Sequence, residues 1–220
     1  MTAATIAEQV SAIDADMAAQ PPNQVMGAFA RERAELAAQG IPHRVAAVGS
    51  ALPDADLLDA HGAATTLRRA TGGRAAVVVF YRGEWCPYCN LALSTYQTQL
   101  LPPLVERGVT LVAVSPQVAD EALSIQQKHD LAFPVLSDPG NTLARYLGIL
   151  TAPSSEARAA QLHLGLDLTT VNADGTTTIP MPATVVIDAD RVIRWLDVHP
   201  DYSTRSEPAD ILGALDAARL

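Results

Sequence analysis

The sequence predicts an α/β fold, a central mixed sheet flanked by helices and preceded by an N-terminal helical extension. Three observations predict it. Residues 75–81 (AAVVVFY) form a continuous apolar, β-branched and aromatic run, the pattern of a strand buried on both faces. From there to Gly148 strand and helix patterns alternate, the order that builds a parallel sheet with right-handed crossovers. Near the end, residues 184–187 and 192–198 read as two strands joined by the turn Asp188-Ala189-Asp190, which adds a hairpin.

Taken in order, the elements follow from local chemistry. Ile6, Val10, Ile13 and Met17 recur at three- and four-residue steps, one apolar helix face, which Pro21-Pro22-Asn23 breaks. Val25, Phe29, Arg33 and Leu36 mark a second helix, ended by Gly40 and Pro42. These two form an arm over residues 1–45, packed on the domain or on a second subunit of a homodimer, with no chemistry evident in it. Turns at Gly49–Pro53 and Asp59–Gly62 flank a short strand, and Thr65 to Arg69 reads as one helical turn. After the 75–81 strand a helix starts at Pro87, and Pro102-Pro103 must kink it because two amide donors are missing. Residues 110–114 are the next strand and 120–129 a helix. Residues 134–136 are a short strand, and Asn141 is placed to cap a helix from Thr142 that Gly148 stops. Residues 150–180 are less regular, around a short helix-like piece from Ser155 to Leu162, and a last helix runs from Pro208 to Arg219.

Composition bounds the function. The 220 residues suffice for one well-cored domain, residues 46–220. A net charge of −9 would repel a phosphate backbone, so no nucleic-acid partner is expected. No apolar run approaches the ~20 residues of a membrane helix, so no membrane is expected. Met1 is followed by neither a basic flank nor an apolar core, so no secretory signal is expected and the cytoplasm is the default compartment.

The chain has two cysteines, in Trp85-Cys86-Pro87-Tyr88-Cys89. A disulfide framework needs cysteines spread along a chain, and a closed zinc site needs four ligands. None of His43, His61, His129, His163 and His199 lies within twenty residues of the pair, so no metal and no cofactor are expected. His129 and His163 read as surface or satisfied-core residues, and Trp85 and Trp195 as core or site walls. What remains is a redox dithiol where a buried strand ends and a helix begins. Pro87 suits the first helical position, which makes Cys86 the N-cap residue and Cys89 the third helical residue, side chains that capping geometry brings together. The unpaired N–H groups and dipole of the helix start favour a thiolate, the reactive form, below the free value of ~8.5. Arg82 adds positive charge and Glu84 opposes it. Pro182, just before a core strand, is a candidate cis-proline beside the cysteines, the alternative being a plain strand-entry proline.

These residues carry a family resemblance. FYRGEWCPYCN at 80–90, VSP at 114–116, FPVLSDPGN at 133–141 and PATVVID at 182–188 look like the peroxiredoxin-like group of the alkyl hydroperoxide reductase/thiol-specific antioxidant superfamily. Asp201-Tyr202, Arg205 and Glu207-Pro208 fit the tail of that group. The resemblance runs from Val48 to the C-terminus and implies a thioredoxin-like fold. It implies a thiol oxidoreductase acting on a hydroperoxide or a disulfide, with thioredoxin or a glutathione-type thiol as reductant. Departures from the family pattern matter. Cys89 falls on the family's peroxidatic cysteine, but Cys86 falls on its threonine, Arg82 on its proline and Pro182 on its arginine. Two mechanisms stay open. Either Cys86 attacks a disulfide and Cys89 resolves it, or Cys89 attacks a peroxide and Cys86 condenses with the sulfenic acid. Helix position favours Cys86 as the exposed nucleophile, while the family pattern favours Cys89. A redox sensor without turnover, and an iron–sulfur cluster held between two copies, are readings of other classes.

Overall fold

The computed structural model describes residues 3–19, 21 and 23–220; Pro22 of the expected helix break, and the Met1-Thr2 start of the expected non-signal segment, lie outside them. The arm is two helices, α1 (Ile6–Ala18) and α2 (Gln24–Gln39). Thr5 and Glu8 cap α1 reciprocally. The Asn23 side chain caps α2, and Gly40 ends it at a φ of 71°.

The domain continues with β1 (Asp56–Leu58), β2 (Ala64–Thr66), α3 (Leu67–Ala70) and β3 (Ala76–Phe80). Next come α4 (Pro87–Thr95), a π-helical turn (Tyr96–Leu100) and α5 (Leu101–Glu106). Then follow β4 (Thr110–Ser115), α6 (Ala119–Lys128), β5 (Val135–Ser137) and α7 (Thr142–Leu147). The expected irregular stretch contains β6 (Leu150–Thr151), α8 (Ser155–His163), α9 (Leu168–Val171) and β7 (Ile179–Pro180). The chain ends with β8 (Ala183–Ile187), β9 (Ile193–Val198) and α10 (Pro208–Ala218).

Seven strands form one mixed sheet in the order β2-β1-β5-β4-β3-β8-β9. β3 pairs in parallel with β4 and antiparallel with β8, and β4 runs parallel to β5. All five residues of β3 are buried, because both faces of the sheet are covered. Val77 and Val79 point into the half of the core built with α4 and α1, and Ala76, Val78 and Phe80 into the half built with α7.

Three local expectations change. The helix after the dithiol is interrupted at Tyr96–Leu100, one turn before Pro102-Pro103. The two prolines have no N–H to offer the carbonyls four residues back, so the turn ahead of them widens instead of bending sharply at them. Asn141 does not cap α7 with its side chain; it takes a left-handed conformation. The Asp138 carboxylate caps the helix instead, accepting from the Thr142 and Leu143 N–H groups at 2.8 Å each. Thr65 and Thr66 lie in β2, so the expected helical turn begins only at Leu67.

The arm packs on its own domain. Ile6 is 1% exposed within the α4 side of the core. The Glu207 carboxylate, at the start of α10, accepts from the backbone N–H groups of Ile6 (2.9 Å) and Ala7 (2.8 Å), an anion at a helix N-terminus. The Tyr202 hydroxyl donates to the Phe29 carbonyl at 3.0 Å.

Candidate active site

The buried strand β3 delivers the chain to one end of the sheet, and a tight loop turns it into α4. Gly83 makes the turn possible: a Cβ there would collide with the Trp85 indole and the Gln117 side chain. The loop is pinned by Gln117, which accepts from the Glu84 N–H (2.6 Å), and by Asn90, which donates to the Glu84 carbonyl (2.8 Å). Pro87 is the first residue of α4 and Cys86 its N-cap, so the expected helix position of the dithiol is the observed one. The Cys86 carbonyl accepts from the Cys89 and Asn90 N–H groups at 3.0 and 3.1 Å.

Both cysteines are free thiols and both are buried, Cys86 at 1% and Cys89 at 0% exposure. The expectation that helix position exposes Cys86 is therefore corrected: the residue is packed into the core although Pro87 beside it is exposed. The two sulfurs are unequal. Burial alone would raise the Cys89 thiol, but the hydrogen bond from Cys86, the Arg205 charge, the Arg82 N–H and the Arg82 charge outweigh it and hold it low, at about 5. Arg205 Nη2 lies 3.0 Å from the Cys89 sulfur. Burial pushes the Cys86 thiol well up, and its hydrogen bond to Cys89 and the Cys89 charge act in the same direction. Helix position alone would favour ionisation of Cys86; a buried guanidinium in contact with Cys89 decides otherwise.

Arg205 is fixed by its own backbone neighbourhood, donating to the carbonyls of Tyr202 (2.6 Å) and Thr204 (2.5 Å). The loop that carries it is laced by His199, whose ring meets Thr204 at 2.8 Å and Asp197 at 3.0 Å. Arg82 is buried, its guanidinium 3.8 Å over the Tyr202 ring and 5.1 Å from the Trp85 ring. Its counter-ion is Glu32 of the arm, at 3.8 Å. Glu84, expected to oppose Arg82, is turned away to Lys128 at 3.0 Å. The bond preceding Pro182 is trans, since no cis peptide occurs among the described residues. Pro182 enters β8 as a plain strand-entry proline, its carbonyl accepting from the His199 N–H at 2.8 Å.

The arm contributes more than was legible. Tyr88, next to the dithiol, donates to Asp14 at 2.6 Å and accepts from Arg33 at 2.7 Å, and Arg33 also holds Asp14 at 2.9 Å. Asp14 and Glu32 are residues beside the dithiol that the sequence reading missed, Arg33 appeared there only as a helix position, and Tyr202 and Arg205 only as part of a tail pattern. Between arm and domain lies a cavity of about 580 Å³ walled by Trp85, Cys86, Pro87 and Tyr88 on one side and by Met17, Met26 and Phe29 on the other. Trp195 lies on β9, partly buried against the core and away from that wall. His129 ends α6 and His163 ends α8. Among the described residues no three His, Cys, Asp or Glu side chains converge as a metal site would require, and no helix is long and apolar enough to cross a membrane.

Comparison with known proteins agrees with this architecture. The model of the AhpC/TSA family matches residues 48–196, which leaves the arm outside it. Peroxiredoxin Q, chloroplastic, of Oryza sativa subsp. japonica is 25% identical over 165 residues, 75% of this chain. The chain spans 63% of the length of that relative, and the same of its subsp. indica counterpart. Among solved structures, reduced Prx3 in complex with hydrogen peroxide from Vibrio vulnificus superposes with a TM-score of 0.62 at 21% identity, covering 77% of this chain and 99% of that one. A mutant of PrxQ from Xylella fastidiosa gives a TM-score of 0.60 at 16% identity, covering 79% and 98%. Peroxidoxin BcpB from Mycobacterium tuberculosis gives 0.58 at 19% identity, covering 78% and 96%. A family model that covers the sheet, the dithiol and the strand after Pro182, together with these shared folds, shows that the chain belongs to the AhpC/TSA family, with a thioredoxin-like fold.

Proposed function

We propose that the protein is a thiol peroxidase that reduces hydroperoxides through Cys89. The observation that carries this reading is the Arg205 guanidinium 3.0 Å from a Cys89 sulfur whose thiol is held low. A thiolate is the nucleophile toward peroxide. Cys89 attacks the terminal oxygen of the hydroperoxide, which releases an alcohol or water and leaves a sulfenic acid. Cys86, one helical turn away, condenses with it; water leaves and the Cys86–Cys89 disulfide forms. Arg205 and Arg82 stabilise the thiolate and the charge on the departing oxygen. Arg205 thereby supplies the cation that Pro182 displaces from the family's usual position.

The competing scheme, with Cys86 attacking a disulfide as in thioredoxins, needs an acidic Cys86. The Cys86 thiol is pushed up while that of Cys89 is held low. Thioredoxin or a small thiol then reduces the disulfide, a cycle suited to a reducing compartment such as the cytoplasm. Residues 1–45 serve as an extension that closes the site over a catalytic domain at 46–220.

Stopped-flow reaction with hydrogen peroxide tests the assignment. The Cys86→Ser protein is expected to keep the fast first step and accumulate a sulfenic acid that dimedone traps. The Cys89→Ser protein is expected to lose that step. Retention of the fast step by Cys89→Ser alone would contradict the proposal.

A further inference from the structure

The cavity between arm and domain presents one of the two sulfurs. Cys86 forms part of its wall; Cys89, fully buried, does not. In the oxidised protein the sulfur reachable from the cavity is therefore the Cys86 half of the disulfide. We propose that this cavity is the binding site of the reductant, and that the reductant is a small apolar dithiol of the dihydrolipoyl type with a neutral polar tail. The inference rests on the peroxidase reading insofar as it needs the Cys86–Cys89 disulfide to form.

The walls select the chemistry. Met17, Met26 and Phe29 from the arm face Leu164 and Leu166 after α8, an apolar lining whose methionines adapt to ligand shape. The volume of about 580 Å³ falls within the range of small-molecule sites. Both guanidinium groups on the wall already face carboxylates, Arg33 with Asp14 and Arg82 with Glu32. Each of these charges is offset by a carboxylate and the chain as a whole carries −9, which disfavours an anionic thiol. Three buried side-chain atoms of wall residues have no hydrogen-bond partner: Arg82 Nε, Trp85 Nε1 and the Oε1 of Gln161, a residue 3% exposed. The two donors suit the carbonyl of a neutral amide, and the Gln161 oxygen suits its N–H. A protein reductant would have to reach a sulfur that the arm covers.

A dithiol completes the reduction in a single binding event. One thiolate of the reductant attacks the Cys86 sulfur. A mixed disulfide forms, the Cys86–Cys89 bond breaks, and Cys89 leaves as a thiolate beside Arg205. A low leaving-group pKa speeds this step. The second thiol of the same molecule then attacks its own sulfur in the mixed disulfide. The reductant departs as a cyclic disulfide, and Cys86 takes a proton and regains its thiol. Two electrons pass from the dithiol to the protein disulfide. A monothiol would have to bring a second molecule to the same sulfur.

Reduction of pre-oxidised full-length protein tests this. Disulfide is prepared in two ways, with hydrogen peroxide and with the thiol oxidant diamide. Failure of peroxide to form it counts against the peroxidase reading and leaves the reductant measurement intact. Thiol recovery is followed with dihydrolipoamide, with glutathione, and with thioredoxin plus its reductase. Dihydrolipoamide is expected to react at least about tenfold faster than either of the others. Met26→Glu and Leu164→Glu, at positions 37% and 58% exposed where the fold tolerates a charge, are each expected to slow it severalfold. Equal or faster reduction by glutathione or thioredoxin overturns the proposal, as does an unchanged dihydrolipoamide rate in both variants.

Discussion

At Cys89 two opposing effects meet, and magnitudes decide between them. Burial of a thiolate costs energy, and each pKa unit corresponds to about 1.4 kcal/mol. Arg205 in contact, Arg82 close by and two hydrogen-bond donors outweigh that cost. Arg205→Gln removes one charge and keeps a donor. The Cys89 thiol is expected to rise, so less thiolate is present at neutral pH, and the peroxide rate at pH 6 should fall by roughly tenfold or more. Raising the pH through the new pKa should restore the part of the loss that comes from missing thiolate, which a misfolded site could not do. A pH–rate profile of the variant that matches the parent protein would remove Arg205 from the account. The same residue shows where sequence reading stops. Cys86, Pro87 and Cys89 are neighbours, and their helix geometry is legible. Arg205 is 116 positions from Cys89, and only the folded sheet brings them together.

The elements divide in the same way. β3, α4 and the β8–β9 hairpin were readable because each is specified by its own period or turn chemistry. The π-helical turn and the capping of α7 by Asp138 were not, since both depend on which carbonyls lack a donor in three dimensions. The arm was legible as two helices and illegible as part of the site. Its periodicity reveals an apolar face but not that Glu32 meets Arg82 or that Arg33 meets Tyr88. Its attachment rests on Ile6, buried in the core, and on Glu207 at its N-terminus. Ile6→Ala is expected to lower stability by about 2–5 kcal/mol in urea unfolding. The Cys89 thiol should titrate as before, because Arg205 is held from the domain side. A loss below about 0.5 kcal/mol would mean that the arm is not integral to the fold.

For the whole molecule, an AhpC/TSA sheet carries a helix-capping dithiol under an added helical arm. A guanidinium from the loop before α10 reaches the Cys89 sulfur at 3.0 Å. Both sulfurs are buried, and only Cys86 borders the cavity between arm and domain. The central claim is that Cys89, and not Cys86, is the thiolate. Thiolate absorbance near 240 nm, followed against pH in the Cys86→Ser and Cys89→Ser proteins, tests it directly. Cys86→Ser should show one group titrating far below the free-thiol value of ~8.5, and Cys89→Ser one titrating at or above it. The reverse assignment, with the low titration surviving in Cys89→Ser, would contradict the account.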